Sequence, residues 1–125
     1  MNRFIITSLL VVLSISLRAQ ILKTELLQTK VNQYQKAEWN LVLKASWSNP
    51  YAFSEIALDM ILTSPSGKQL MLPCFNESGK SGDESIWKAR FTAREAGVYS
   101  YQFDFKENGK VVSSSPKAEF KAKPT

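Results

Sequence analysis

Four residues in one short segment carry the strongest chemical suggestion in this sequence: Trp47, Asn49, Tyr51 and Phe53. Sugar rings stack on aromatic faces, and an amide can bond their hydroxyls. The loop Ser48-Asn49-Pro50-Tyr51-Ala52-Phe53, with Trp47 at its entrance, is therefore a candidate carbohydrate platform. The alternative is that these side chains cap one open end of the fold or pack on a neighbouring domain. Acid–base cleavage of a glycosidic bond would need two carboxyl groups about 5–10 Å apart. Asp83, Glu84, Glu95 and Asp104 are the candidates, and none lies in an aromatic-rich context that would raise a pKa. Solvated surface charge is the simpler reading of all four, so no intrinsic hydrolysis is expected.

Other chemistries are excluded by composition. The chain has no histidine, which removes His bases, Ser-His-Asp and Cys-His arrangements, and His-ligated metals. A single cysteine, Cys74, rules out an intramolecular disulfide and a cysteine zinc site. In Leu70-Met71-Leu72-Pro73-Cys74-Phe75 it reads as a small buried apolar residue; the alternative is a free thiol that pairs between chains. No cofactor and no metal are expected. Asn76-Glu77-Ser78 matches an N-glycosylation acceptor in a loop, which in a bacterial protein would be a chance match.

The elements that must position these residues have a period of two. Leu22 to Thr29 reads as a first strand. In Lys36 to Ser46, Trp39, Leu41, Leu43 and Ala45 point one way and Glu38, Asn40 and Lys44 the other. Glu55 to Thr63 puts Ile56, Leu58, Met60 and Leu62 on one face. Ser64-Pro65-Ser66-Gly67 is a turn. Lys68 to Phe75 reads as a short strand with Leu70 and Leu72 inward, and Asn76 to Glu84 as a loop. Ser85 to Thr92 buries Trp87, Ala89 and Phe91 and wets Lys88 and Arg90, and Arg90 is placed to pair with a carboxylate across the strands. Val98 to Lys106 carries Tyr99, Tyr101, Phe103 and Phe105 on one face, and Asn108-Gly109 is a two-residue hairpin signal. Val111-Val112 and Ala118 to Ala122 complete seven or eight strands with no helix. This cadence predicts an all-β fold, an immunoglobulin-like antiparallel β-sandwich, with a small barrel as the alternative. Trp39 and Trp87 are its expected core anchors. Gly97-x-Tyr99 reads as a tyrosine corner, in which the hydroxyl bonds backbone upstream.

Residues 1–19 read as a secretion signal: Arg3, an apolar run from Phe4 to Leu17 broken only by Thr7, Ser8, Ser14 and Ser16, and Ala19 before Gln20. Cleavage is expected to leave no stable membrane span and one domain over 20–123, secreted or periplasmic. Lys121-Ala122-Lys123-Pro124-Thr125 looks like the start of a linker over 124–125. Losing Arg3 and Arg18 lowers the formal charge from +5 to +3, a mild excess that does not suggest a nucleic-acid partner.

The order of several pieces resembles a known family: the immunoglobulin-like N-terminal domain of unknown function that precedes the catalytic barrel in secreted bacterial glycoside hydrolases. The pieces are Glu38-Trp39, Asn49-Pro50-Tyr51, Thr63-Ser64-Pro65-Ser66-Gly67-Lys68, Trp87-Lys88-Ala89-Arg90-Phe91 and Glu95-Ala96-Gly97-Val98-Tyr99-Ser100-Tyr101. They span about Val31 to Phe105. The chain departs from the family at Pro73-Cys74-Phe75-Asn76-Glu77, where relatives often carry a Gly-Phe-Tyr-Asp-Gly-like stretch. The resemblance implies a non-catalytic accessory domain, with a catalytic glycoside hydrolase domain or a polysaccharide as partner. The alternative is a stand-alone secreted module that binds carbohydrate or protein.

Overall fold

The computed structural model describes residues 20–125. The secretion signal expected over 1–19 lies outside the described residues. Ten strands make up the domain: β1 (Gln20–Leu26), β2 (Val31–Asn32), β3 (Lys36–Lys44), β4 (Ile56–Thr63), β5 (Gln69–Pro73), β6 (Phe75–Gly79), β7 (Glu84–Thr92), β8 (Gly97–Glu107), β9 (Lys110–Ser114) and β10 (Ala118–Lys123). One sheet has the order β1-β3-β7-β6 and the other β2-β10-β8-β4-β5, with β9 paired to β8. Every pairing is antiparallel except β2 with β10. These orders are those of an immunoglobulin sandwich, in which the first edge strand breaks and its second part joins the opposite sheet.

Alternation decides which faces meet. Trp39, Leu41 and Leu43 of β3 and Trp87 and Ala89 of β7 are buried against Leu58, Met60 and Leu62 of β4 and Tyr99, Phe103 and Phe105 of β8. Phe120 of β10 closes this core, stacked parallel on Tyr99 with centroids 4.9 Å apart. The Trp87 indole N–H donates to Ser85 Oγ at 2.9 Å, and that hydroxyl donates to the Leu43 carbonyl at 3.1 Å, so these two buried groups are paired. Asn108 and Gly109 both take positive φ, 50° and 81°, as a type I′ hairpin between β8 and β9 requires.

Three expectations are corrected. The strands number ten rather than seven or eight; the two-residue β2 and the edge strand β6 account for the excess. The segment read as a loop from Asn76 begins as β6, because β7 supplies a row of backbone partners that no local pattern announces. Leu70 is 39% exposed rather than inward. It lies on β5, an edge strand, at a level where β6 no longer continues the opposite sheet.

Candidate functional site

The loop between β3 and β4 is held by Glu55. Its carboxylate accepts from the backbone N–H groups of Ser48 and Asn49, and its pKa is lowered, first by the Ser48 bond. Asn49 Oδ1 accepts from the Tyr51 N–H at 2.9 Å, an Asx turn that occupies the amide oxygen locally. Trp47 turns inward: its ring packs on the core, edge to face with Trp87 at 6.0 Å, and its backbone N–H donates to Ser81 Oγ at 2.7 Å. Tyr51 and Phe53 project outward, 67% and 65% exposed. The structure thus brings Tyr51 and Phe53 to one exposed loop and separates Trp47 from them.

Trp39 and Trp87 are buried, at 0% and 2% exposure. The Tyr99 hydroxyl accepts from the Glu95 N–H at 3.1 Å and lies 3.2 Å from the Glu95 carbonyl, closing the corner. Gly97 has φ +128°, and a Cβ there would lie 2.9 Å from Pro65 Cβ, so both backbone and space require glycine.

Two of the four candidate carboxylates, Asp104 and Glu95, are engaged in local bonds. Asp104 accepts from Gln102 Nε2 at 3.0 Å and from Ser114 Oγ at 2.8 Å. Glu95 is held below the usual carboxylate range by bonds from Ser66, then Ser64. Asp83 and Glu84 are exposed at the start of β7. Sequence reasoning did not single out Glu38, which anchors the outer face of the first sheet. The β3–β7 register sets it directly opposite Arg90, the partner the sequence left unspecified. It accepts from Lys88 Nζ at 2.9 Å, with Arg90 Nε and Lys36 Nζ each at 3.6 Å. The Lys88 bond leads in lowering its pKa. Lys88 also reaches Glu77 at 3.5 Å, and Arg90 lies over the Phe75 ring at 5.0 Å. Among the described residues, no cluster of three or more His, Cys, Asp or Glu side chains is arranged to hold a metal ion.

One flank of the sandwich is open at β5 and β7. A groove of about 570 Å³ lies between β5 and the C-terminal half of β7, floored by Leu70, Leu72, Phe91 and Tyr99. Lys68, Arg90 and Arg94 also line it. The chain crosses from one sheet to the other at Cys74, between β5 and β6, which leaves this flank uncovered.

No curated protein matches the chain. Among solved structures, one that it resembles is the Pseudomonas fluorescens alkylpurine DNA glycosylase AlkC, bound to DNA containing an abasic site analog. That likeness has a TM-score of 0.51 at 12% identity and covers 85% of this chain but 30% of the glycosylase. At such identity it speaks to the fold alone. Residues 30–106, well over half of the chain, match the family described as DUF5060, a domain of unknown function, and the chain belongs to that family.

Proposed function

We propose that this protein is a non-catalytic accessory β-sandwich of a secreted carbohydrate-active enzyme of glycoside hydrolase type. Its role is to pack beside and support a catalytic domain. The observation that carries the reading is how the carboxylates are used. Glu38, Glu55, Glu95 and Asp104 are each held in ion pairs or in bonds to backbone and hydroxyl groups. Glycoside hydrolysis would instead need one carboxyl poised protonated beside a second across a substrate cleft. The ordered resemblance from Glu38-Trp39 to Tyr99-Ser100-Tyr101 supplies the enzyme class, and the signal-like first nineteen residues supply export to the periplasm or beyond.

One observation favours a second reading, an independent carbohydrate-binding module: Tyr51 and Phe53 stand exposed in the same loop. Sequencing the gene past the Thr125 codon separates the two. The accessory reading expects the frame to continue into a glycoside hydrolase, or an adjacent gene to encode one. Finding neither, with specific retention of the chain on a polysaccharide column, would replace it with the binding module.

A further inference from the structure

The free strand edges of this domain are not equally protected. An exposed edge invites another chain to pair, and proteins blunt edges with bulges, prolines or very short strands. The registers of β1, β6 and β9 are each broken by a bulge or irregularity, β2 has two residues, and β5 ends at Pro73. β7 is different. On one side it pairs with β3 without a break, from Lys36–Thr92 to Lys44–Glu84. On the other side β6 reaches only from Phe75–Lys88 to Gly79–Ser85. Among the described residues no strand pairs with that side of Ala89-Arg90-Phe91-Thr92, which contains neither proline nor glycine.

This unprotected edge borders the open groove. Across it runs β5, bonded only to β4, and the floor between them is apolar through Leu70, Leu72, Phe91 and Tyr99. The surrounding charge is one-sided. Lys68, Arg90 and Arg94 line the opening against one acid, Glu95, whose carboxylate is engaged by Ser66 and Ser64; Arg90 itself lies 3.6 Å from Glu38 and over the Phe75 ring, so Lys68 and Arg94 carry most of the free positive charge. The Arg90 side chain is half exposed.

We propose that the β7 edge at Ala89–Thr92, with its groove, is a strand-addition site for an extended segment of a partner polypeptide in which apolar and acidic residues alternate. Strand addition draws affinity from main-chain bonds and specificity from alternate side chains. Successive side chains of a strand paired to Ala89–Thr92 point to opposite faces. One set enters the groove over Phe91 and Leu72 and must be apolar. The other set lies on the outer face beside Arg90 and is favoured when acidic. The inference stands apart from the carbohydrate-enzyme reading, because it concerns only what this flank binds.

The test is NMR titration of the isotope-labelled chain with three short synthetic peptides: alternating Glu–Val, alternating Lys–Val, and Glu–Val with alternate backbone nitrogens methylated. The Glu–Val peptide is expected to shift the amide resonances of Ala89–Thr92 and Gln69–Leu72, more weakly as salt is added. The methylated peptide, deprived of its donors along one edge, and the Lys–Val peptide should not. Arg90→Glu with Arg94→Glu should weaken Glu–Val binding by about tenfold and admit Lys–Val. Absence of shifts at millimolar Glu–Val, shifts confined to the Tyr51–Phe53 loop, or equal binding of the methylated peptide would overturn the proposal. So would self-association of the chain that protects these same amides, since the occupant would then be a second copy.

Discussion

Trp39 and Tyr101 meet edge to face across the two sheets, their ring centroids 5.4 Å apart and their planes at 65°. Tyr101 follows the corner residue Tyr99 by two positions on β8. Antibody domains place there the second cysteine of the disulfide that joins the sheets. With only Cys74 in the chain, an aromatic pair occupies that place. Such a pair adds about 0.5–1.5 kcal/mol beyond its buried area. Phe120 lies 5.4 Å from Trp39 and extends the contact to β10.

Trp39→Ala should therefore cost about 3–5 kcal/mol in urea unfolding, the range for truncating a buried large aromatic. Trp39→Phe should cost clearly less. The indole N–H of Trp39 is buried without a hydrogen-bond partner, so losing it leaves no orphaned acceptor. Equal losses in the two variants would show that the N–H, not the ring, matters.

The corner offers a paired measurement. Tyr99→Phe removes the hydroxyl bonded to Glu95 and should lose about 1–2 kcal/mol. Gly97→Ala meets both the positive φ and the Pro65 ring and should lose about 1–3 kcal/mol. Thermal melts of both variants check this, and an unchanged melting temperature in Gly97→Ala would contradict the close approach.

Stability should fall in acid, in part through Glu38. Its folded pKa lies below the ordinary 4.5, with the Lys88 bond as leading cause. The unfolded chain therefore takes up this proton more readily. The stabilisation is fully present above the unfolded value and is lost as pH falls through the lower folded value. Glu55 and Glu95 are shifted the same way and act in the same window. Denaturation midpoints across that range should decline less steeply in Glu38→Gln than in the parent; identical slopes would remove Glu38 from the account.

Cys74 is 2% exposed, and burial, aided by the nearby Asp59 charge, pushes its thiol well above the usual range. Only the thiolate attacks. A disulfide reagent at mildly alkaline pH should leave the native chain unmodified and react fully once denaturant is added. Rapid modification of the native chain, or a disulfide-linked dimer, would refute this.

The exposed aromatics separate from the half-buried Trp47. Tyr51→Ala and Phe53→Ala should leave stability within about 0.5 kcal/mol, as exposed substitutions do. Trp47→Ala should cost about 1–2 kcal/mol through its contact with Trp87. Retention on polysaccharide columns should be the same for all three and the parent. Selective loss of retention in Tyr51→Ala and Phe53→Ala would favour the binding module.

Side-chain alternation is local, so much of the fold was legible. Along β8 a polar residue stands between each two large apolar ones, and in β3 and β4 the largest apolar side chains recur at every second position, so the better-buried face is set whatever the partners. The buried row from Trp39 to Leu43 and that from Ile56 to Leu62 follow from this, as do the Asn108-Gly109 hairpin and the corner at Tyr99. β6 was hidden because Phe-Asn-Glu-Ser-Gly carries no alternation; its strand character comes from bonds to β7.

The sequence by itself determined the strand faces, the tight turns and the absence of histidine and disulfide chemistry. Those properties reside in single residues and near neighbours. Only the tertiary structure decided which sheet each strand joins, that Trp47 turns onto Trp87, and that Glu38 gathers Lys36, Lys88 and Arg90. It also decided that the crossing at Cys74 leaves β7 half covered beside an apolar groove. Each of these depends on pairing between segments distant in sequence. Backbone hydrogen bonds in a sheet are alike at every residue, so the chain's local pattern does not specify their partners.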